Sequence, residues 1–132
     1  MQEYIRKNHS KYSLQVHLVF VVKYRKKLLV GILDEDMKQI LFDICKHYGW
    51  EIQAMETDKD HIHILLSYQP TVPVSKIAKL LKQISTNRIW KSYREMGREF
   101  WREKTFWSDG YFGCSTGQLS DATIKRYIDT QG

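Results

Sequence analysis

The chain has 132 residues, 42% of them hydrophobic, which is enough for one compact domain with a core and too little for two. Aromatic residues make up 13% and there are only two prolines, a composition that excludes a disordered chain. No apolar run approaches a membrane span and the start lacks a signal-peptide core, so a soluble, cytoplasmic protein is expected, and the net charge of +6 favours a polyanionic partner, nucleic acid above all.

Residues 1–11 are polar, mixed in charge and read as a lead-in. Tyr12 to Lys23 is almost continuously apolar, which suits a central strand covered on both faces. A basic turn follows, with Lys23, Arg25, Lys26 and Lys27 around Tyr24. Asp34 is expected to open a helix, with Glu35 and Asp36 in its first turn where the dipole favours acids. Met37, Ile40, Leu41, Ile44, Cys45 and Tyr48 then recur at helical spacing, and Gly49 suits the C-terminal cap. Trp50 to Thr57 alternates as a strand, Asp58-Lys59-Asp60 makes a tight turn, and His61 to Tyr68 returns as the second strand of a hairpin. Beyond Pro70 and Pro73, the spacing of Val74, Ile77, Ala78, Leu80, Leu81 and Ile84 predicts an amphipathic helix from near Ser75 toward Trp90, with a charged extension through Arg102. Phe106 to Cys114, aromatic around Gly110, predicts a strand with a bend or bulge. Ser120 caps a last helix, Asp121 to Gln131. Cys45 and Cys114, far apart and outside any CxxC spacing, read as buried free thiols.

Two split βαβ units in this order predict an α+β, ferredoxin-like (RRM-like) sandwich. Its four-stranded antiparallel sheet carries two helices on one face, and a C-terminal helix is added over 120–131. Without repeats or linkers, residues 1–132 form a single domain.

His61 and His63 are two apart on a strand, so both leave the same face of the sheet, where two imidazoles can hold one divalent cation. Taken alone, such a pair is more often two ordinary strand histidines. Neighbouring hydrolase patterns fit less well: position 65 is Leu where a third alternating histidine would stand, and the cysteines are badly placed for structural zinc. His17 approaches the pair only if its strand is adjacent, and otherwise reads as a core or supporting histidine.

On the last helix Thr123, Tyr127 and Gln131 fall at i, i+4 spacing and share one stripe, while Ile124 and Ile128 form a separate apolar pair. A tyrosine and a carboxamide stacked in this way can bring a nucleophile and a metal ligand together. Taken alone, the helix more often means an amphipathic tail with Tyr127 in packing. A phenol with pKa near 10 needs a cation to activate it, and Lys125 and Arg126 are close. Between residues 76 and 104 nine basic residues face three acids. Lys76, Lys79 and Lys82 recur every third residue opposite the apolar stripe, Arg88 follows, and Trp90, Tyr93, Phe100, Trp101, Phe106, Trp107, Tyr111 and Phe112 are interleaved or follow. Cationic tracks with aromatic platforms suit single strands, although such aromatics serve more often as core or interface.

Asp60-His61-Ile62-His63, then Tyr111-Phe112 and Ser115-Thr116-Gly117, then Thr123-Ile124-Lys125-Arg126-Tyr127-Ile128, resemble the small single-tyrosine HUH transposases of bacterial and archaeal insertion sequences, the IS200-like type. His17-Leu18-Val19-Phe20 followed by Lys23-Tyr24-Arg25-Lys26-Lys27 resembles the family's first strand and basic turn. The similarity runs from about Tyr12 to Gln131. It implies a ferredoxin-like catalytic domain in which His61, His63 and Gln131 bind Mg²⁺ or Mn²⁺. It implies that Tyr127 attacks single-stranded DNA to give a 5′-phosphotyrosine link and a free 3′-hydroxyl. It also implies a homodimer, with the tyrosine helix of one subunit able to complete the other's site, acting on hairpins at the element ends. Lys23, Arg25, Lys26, Lys27, Lys76, Lys79, Lys82, Arg88, Lys125 and Arg126 are the expected DNA contacts. Family members continue past the tyrosine helix, whereas the sequence stops at Gly132, so a fraying end at Gln131 and a short or decayed copy are expected. A non-catalytic relative that binds hairpins or single strands without cutting is the alternative, and a small metal-dependent phosphoesterase a distant third.

Overall fold

The apolar run near the start becomes the central strand β1 (Leu14–Val21), flanked by β3 (His61–Tyr68) on one side and β4 (Phe112–Cys114) on the other, with β2 (Glu51–Thr57) beyond β3. This computed structural model describes residues 14–98, 105–115 and 120–131. The lead-in 1–11, Tyr12 at the expected strand start, the charged extension from Glu99 to Lys104 with Phe100 and Trp101, and Thr116-Gly117 lie outside the described residues. All three pairings are antiparallel and the order is β2-β3-β1-β4, the arrangement that two split βαβ units generate. The fold is α+β, a four-stranded antiparallel sheet with helices. No helix among the described residues is long and apolar enough to cross a membrane.

Helices α1 (Gly31–Tyr48) and α2 (Val74–Ser92) cover one face of the sheet, and the short α3 (Arg94–Gly97) continues from α2. Alternation on the strands decides what they cover: Leu18, Phe20, Ile62, Ile64 and Leu66 are fully buried beneath Met37, Leu41, Ile77 and Leu81. The opposite face is closed only in part, by α4 (Asp121–Asp129), whose Ile128 packs with Val19 and Val21. β1 is therefore buried on both sides along its second half, which explains its unbroken apolar sequence.

Three boundaries differ from the sequence expectation. Helix α1 opens at Gly31, not Asp34, and Asp34 sits one turn inside, its carboxylate 3.0 Å from the Lys38 ammonium at i+4. The acids thus keep their favourable place near the helix N-terminus without serving as the cap. Strand β4 is confined to Phe112–Cys114. Upstream, the Trp107 and Phe106 side chains plunge into the core, and the Trp107 indole N–H donates to Ser85 Oγ at 3.0 Å. The chain then bends at Gly110 (φ 77°), and the Lys82 ammonium donates to the carbonyls of Ser108 (2.7 Å) and Gly110 (2.6 Å). Residues 106–108 still pair alongside β1, through the Val22–Trp107 bridge and the Ser108 N–H donating to the Val21 carbonyl at 2.7 Å, so the expected bend at Gly110 interrupts the ladder between them and β4. Helix α4 begins as expected, with Ser120 Oγ accepting from Thr123 N at 3.2 Å, but ends at Asp129, so Gln131 lies past its end.

Neither Cys45 nor Cys114 forms a disulfide, and Cys45 is buried while Cys114 is only half-buried. Burial pushes the Cys45 thiol up from 9.0 to about 12. The folded state then holds this proton more tightly than the unfolded chain. The associated stability is complete below pH 9 and is lost as pH rises from there toward the folded value, by about 1.4 kcal/mol per pH unit. Urea unfolding at pH 8 and pH 10 should give a smaller alkaline loss for Cys45→Ala than for the wild type, and equal losses would refute this role.

Candidate functional site

Because β3 alternates, Ile62, Ile64 and Leu66 enter the core while His61 and His63 emerge on the partly open face. The pairing registers place Glu56, His63, Val19 and Phe112 in one row across that face, with His61 opposite Val21.

Each imidazole has one ring nitrogen engaged. His61 Nδ1 lies 3.0 Å from the Asp60 carboxylate. His63 Nε2 lies 2.9 Å from Nδ1 of His17, whose ring centroid is 5.1 Å away on the adjacent strand. Partial burial, then the neighbouring His17, pulls His63 below the ordinary imidazole range against the opposing pull of Glu56, with smaller effects from His61 and Asp121. His63 is thereby held neutral, the form that can ligate a cation.

The basic turn reaches the same place through a costly backbone. Tyr24 (φ 61°) and Arg25 (φ 54°) both occupy the left-handed region, which L-residues avoid by about 1–2 kcal/mol each. Arg25 is thereby brought 3.6 Å from Asp60 and 3.8 Å from Asp129, linking the histidine strand to the end of α4. Between these elements lies a cleft of about 740 Å³. His61, His63 and Arg25 line it together with the carboxylates of Glu56, Asp58, Asp60, Asp121 and Asp129, and with Lys125. Such a mixture of imidazole, carboxylate and cation suits a metal ion and an anionic substrate together.

Tyr127 and Gln131 do not line this cleft. The stripes of α4 that face it are Ile124–Ile128 and Asp121–Lys125–Asp129, while the Tyr127 ring packs on Phe112 at 5.6 Å between centroids. His63 and Phe112 are separated by β1, two strand spacings or about 10 Å. Burial raises the Tyr127 phenol above its ordinary value. The Gln131 amide donates to Thr130 Oγ1 at 3.3 Å. Among the described residues no group of three His, Cys, Asp or Glu is close enough to hold a metal ion. The histidine pair still fits one, since two imidazoles share a face and each has a second nitrogen anchored.

The expected DNA contacts divide between two surfaces. Arg25 and Lys125 line the cleft, with Lys23, Lys26 and Lys27 in or beside the same turn and Arg126 exposed on α4. Lys76, Lys79, Lys82 and Arg88 belong to α2 in the helical layer, where Lys79 and Lys82 border a second cleft of about 610 Å³ with Gln83, Asn87 and Tyr111. Lys82 is committed to the two carbonyls, and burial lowers its pKa. The aromatics Trp90, Phe106 and Trp107 serve the core. Glu56, Asp58, Asp121 and Asp129 carry no site signal in the sequence, where Asp58 reads only as part of a turn and Asp121 only as the start of a helix.

Residues 10–131, which hold all of these features, match the family model described as "Transposase IS200 like". The chain belongs to the IS200-like transposases. It is 34% identical over 120 residues to the ISDra2 transposase TnpA of Deinococcus radiodurans, covering 91% of this chain and 85% of that protein. It is 29% identical over 123 residues to the transposase for insertion sequence element IS200 of Salmonella typhimurium, covering 93% and 80%. A solved structure from Deinococcus radiodurans R1, ascribed to a transposase, superposes with a TM-score of 0.82 at 30% identity, over 89% of this chain and 90% of that one. A REP-associated tyrosine transposase bound to a REP hairpin shares the fold at a TM-score of 0.51 and 10% identity, over 91% and 65%. DNA transposition is thus the activity this IS200-like transposase inherits.

Proposed function

We propose that this IS200-like transposase cuts and rejoins single-stranded DNA at the ends of an insertion sequence through a 5′-phosphotyrosine intermediate. The Tyr127 oxygen attacks the scissile phosphorus, the P–O3′ bond breaks, and the departing 3′ oxygen takes up a proton. A 3′-hydroxyl later attacks the same phosphorus and releases the tyrosine, so no water or nucleotide cofactor is consumed. His61, His63 and Gln131 hold Mg²⁺ or Mn²⁺, which supplies charge neutralisation at the phosphate when bound. Arg25 and Lys125 draw the backbone into the cleft, and hairpins at the element ends, engaged by a homodimer, select the strand. Gln131, which donates to Thr130 Oγ1, would have to turn toward the histidines to join them, and Tyr127 would have to leave Phe112 to reach the phosphate.

The observation that carries this reading is the cleft itself: two histidines on one sheet face, each anchored, with a cation at Arg25 and the tyrosine helix laid across. One observation favours the second reading, a relative that binds without cutting: the Tyr127 ring faces Phe112 and not the cleft. A labelled hairpin-bearing single strand from the element's ends separates the two. A protein–DNA adduct stable on a denaturing gel and lost in EDTA is expected, whereas retention on a native gel with no adduct would identify the binder.

A further inference from the structure

We propose that His17 is a positioning residue for His63, fixing the tautomer and ring orientation with which His63 meets a divalent cation. The inference rests on the reading of His61 and His63 as metal ligands. The two ligand histidines are anchored in parallel ways. His61 Nδ1 is held by the Asp60 carboxylate at 3.0 Å, which leaves Nε2 for a cation. His63 Nε2 is held by His17 Nδ1 at 2.9 Å, which leaves Nδ1. For Nδ1 of a neutral His63 to offer its lone pair, its proton must sit on Nε2 and be donated to His17, so in the proposed ligating state His17 Nδ1 is the acceptor that favours this tautomer.

His17 is not itself a ligand candidate of equal standing. It does not line the cleft that His61 and His63 line, and it forms no three-member metal group with them. Its place is set by sheet register: β1 pairs His17 with Leu65 and Val19 with His63, so the two imidazoles meet diagonally on the open face, at an interplanar angle of 33°. Both rings are partly buried, where a hydrogen bond fixes orientation better than it does in water.

Mn²⁺ alone, titrated into the full chain without DNA and followed by electron paramagnetic resonance, tests the assignment. His17→Phe keeps a ring and removes the acceptor, and should weaken Mn²⁺ binding by about 10- to 100-fold. His17→Asn returns an oxygen near the Nδ1 position and should bring affinity back to within a few-fold of the wild type. The ¹⁵N shifts of His63 should report one dominant tautomer in the wild type and a mixture in His17→Phe, with melting temperatures alike. Wild-type Mn²⁺ affinity in His17→Phe, alongside loss in His63→Ala, would overturn the role of His17 alone. Equal loss in the Phe and Asn variants with matching falls in melting temperature would also overturn it. Undiminished binding in both His61→Ala and His63→Ala would overturn the metal site, and this inference with it.

Discussion

Replacing Tyr127 by phenylalanine is expected to abolish the covalent DNA adduct and to cut strand cleavage by on the order of 10⁴-fold or more, since the only atom removed is the attacking oxygen. The change is close to silent for folding. The ring packs on Phe112 beside Val19 and Val21, and a phenylalanine keeps those contacts, so stability should move by no more than about 0.5 kcal/mol. The pH profile of the wild type gives an independent check. Burial raises the Tyr127 phenol above 10.0, so the phenolate is a minor species throughout the neutral range. If attack requires the phenolate, single-turnover cleavage should climb about tenfold per pH unit between pH 7 and 9. A denaturing gel of labelled oligonucleotide measures both effects. Adduct retained in Tyr127→Phe would assign the nucleophile elsewhere.

The sheet and its order were legible in the sequence because periodicity and burial agree. β1 reads as doubly covered and is so along its second half, and the alternation of β3 already separates Ile62, Ile64 and Leu66 from the two histidines. Boundaries were less legible where side chains override local preference. Asp34 resembles a cap, yet its carboxylate pairs with Lys38 one turn inside the helix. The bend expected in the aromatic run to Cys114 is present at Gly110, but its extent is not legible, because Lys82 claims the Ser108 and Gly110 carbonyls and leaves β4 only three residues. Long-range pairing was the least legible. The meeting of His17 with His63 depends on the β1–β3 register across 46 residues, which no local pattern encodes. Thr123 and Tyr127 do share one face of the helix, but Gln131 lies past its end, and which face the sheet takes is not legible in the spacing. The apolar pair Ile124–Ile128 settles that, since burying it turns Tyr127 toward Phe112.

That choice of face has a consequence for assembly. With its own helix docked as seen, a subunit keeps its tyrosine ring on Phe112, outside the cleft that its histidines line. What holds the helix there is modest: Ile128, whose full burial is worth about 1.5–3 kcal/mol, a partly buried Ile124, and the Arg25–Asp129 pair. Arg25 is 43% and Asp129 55% exposed, so that pair contributes about 0–1 kcal/mol. Little therefore holds α4 to its own sheet, so in the proposed homodimer the helix can leave this seat and carry Tyr127 to the histidines of the second subunit. Two inactive variants, Tyr127→Phe and His63→Ala, should therefore restore cleavage when mixed. Each mixed dimer holds one cleft with both histidines and an intact tyrosine from the partner. With free reassortment about half the dimers are mixed, and the expected rate is about a quarter of the wild type. Native mass spectrometry establishes whether subunits have exchanged. Mixed dimers that still form no adduct would mean that Tyr127 reaches the histidines of its own chain, by a swing of α4 that breaks the Arg25–Asp129 contact.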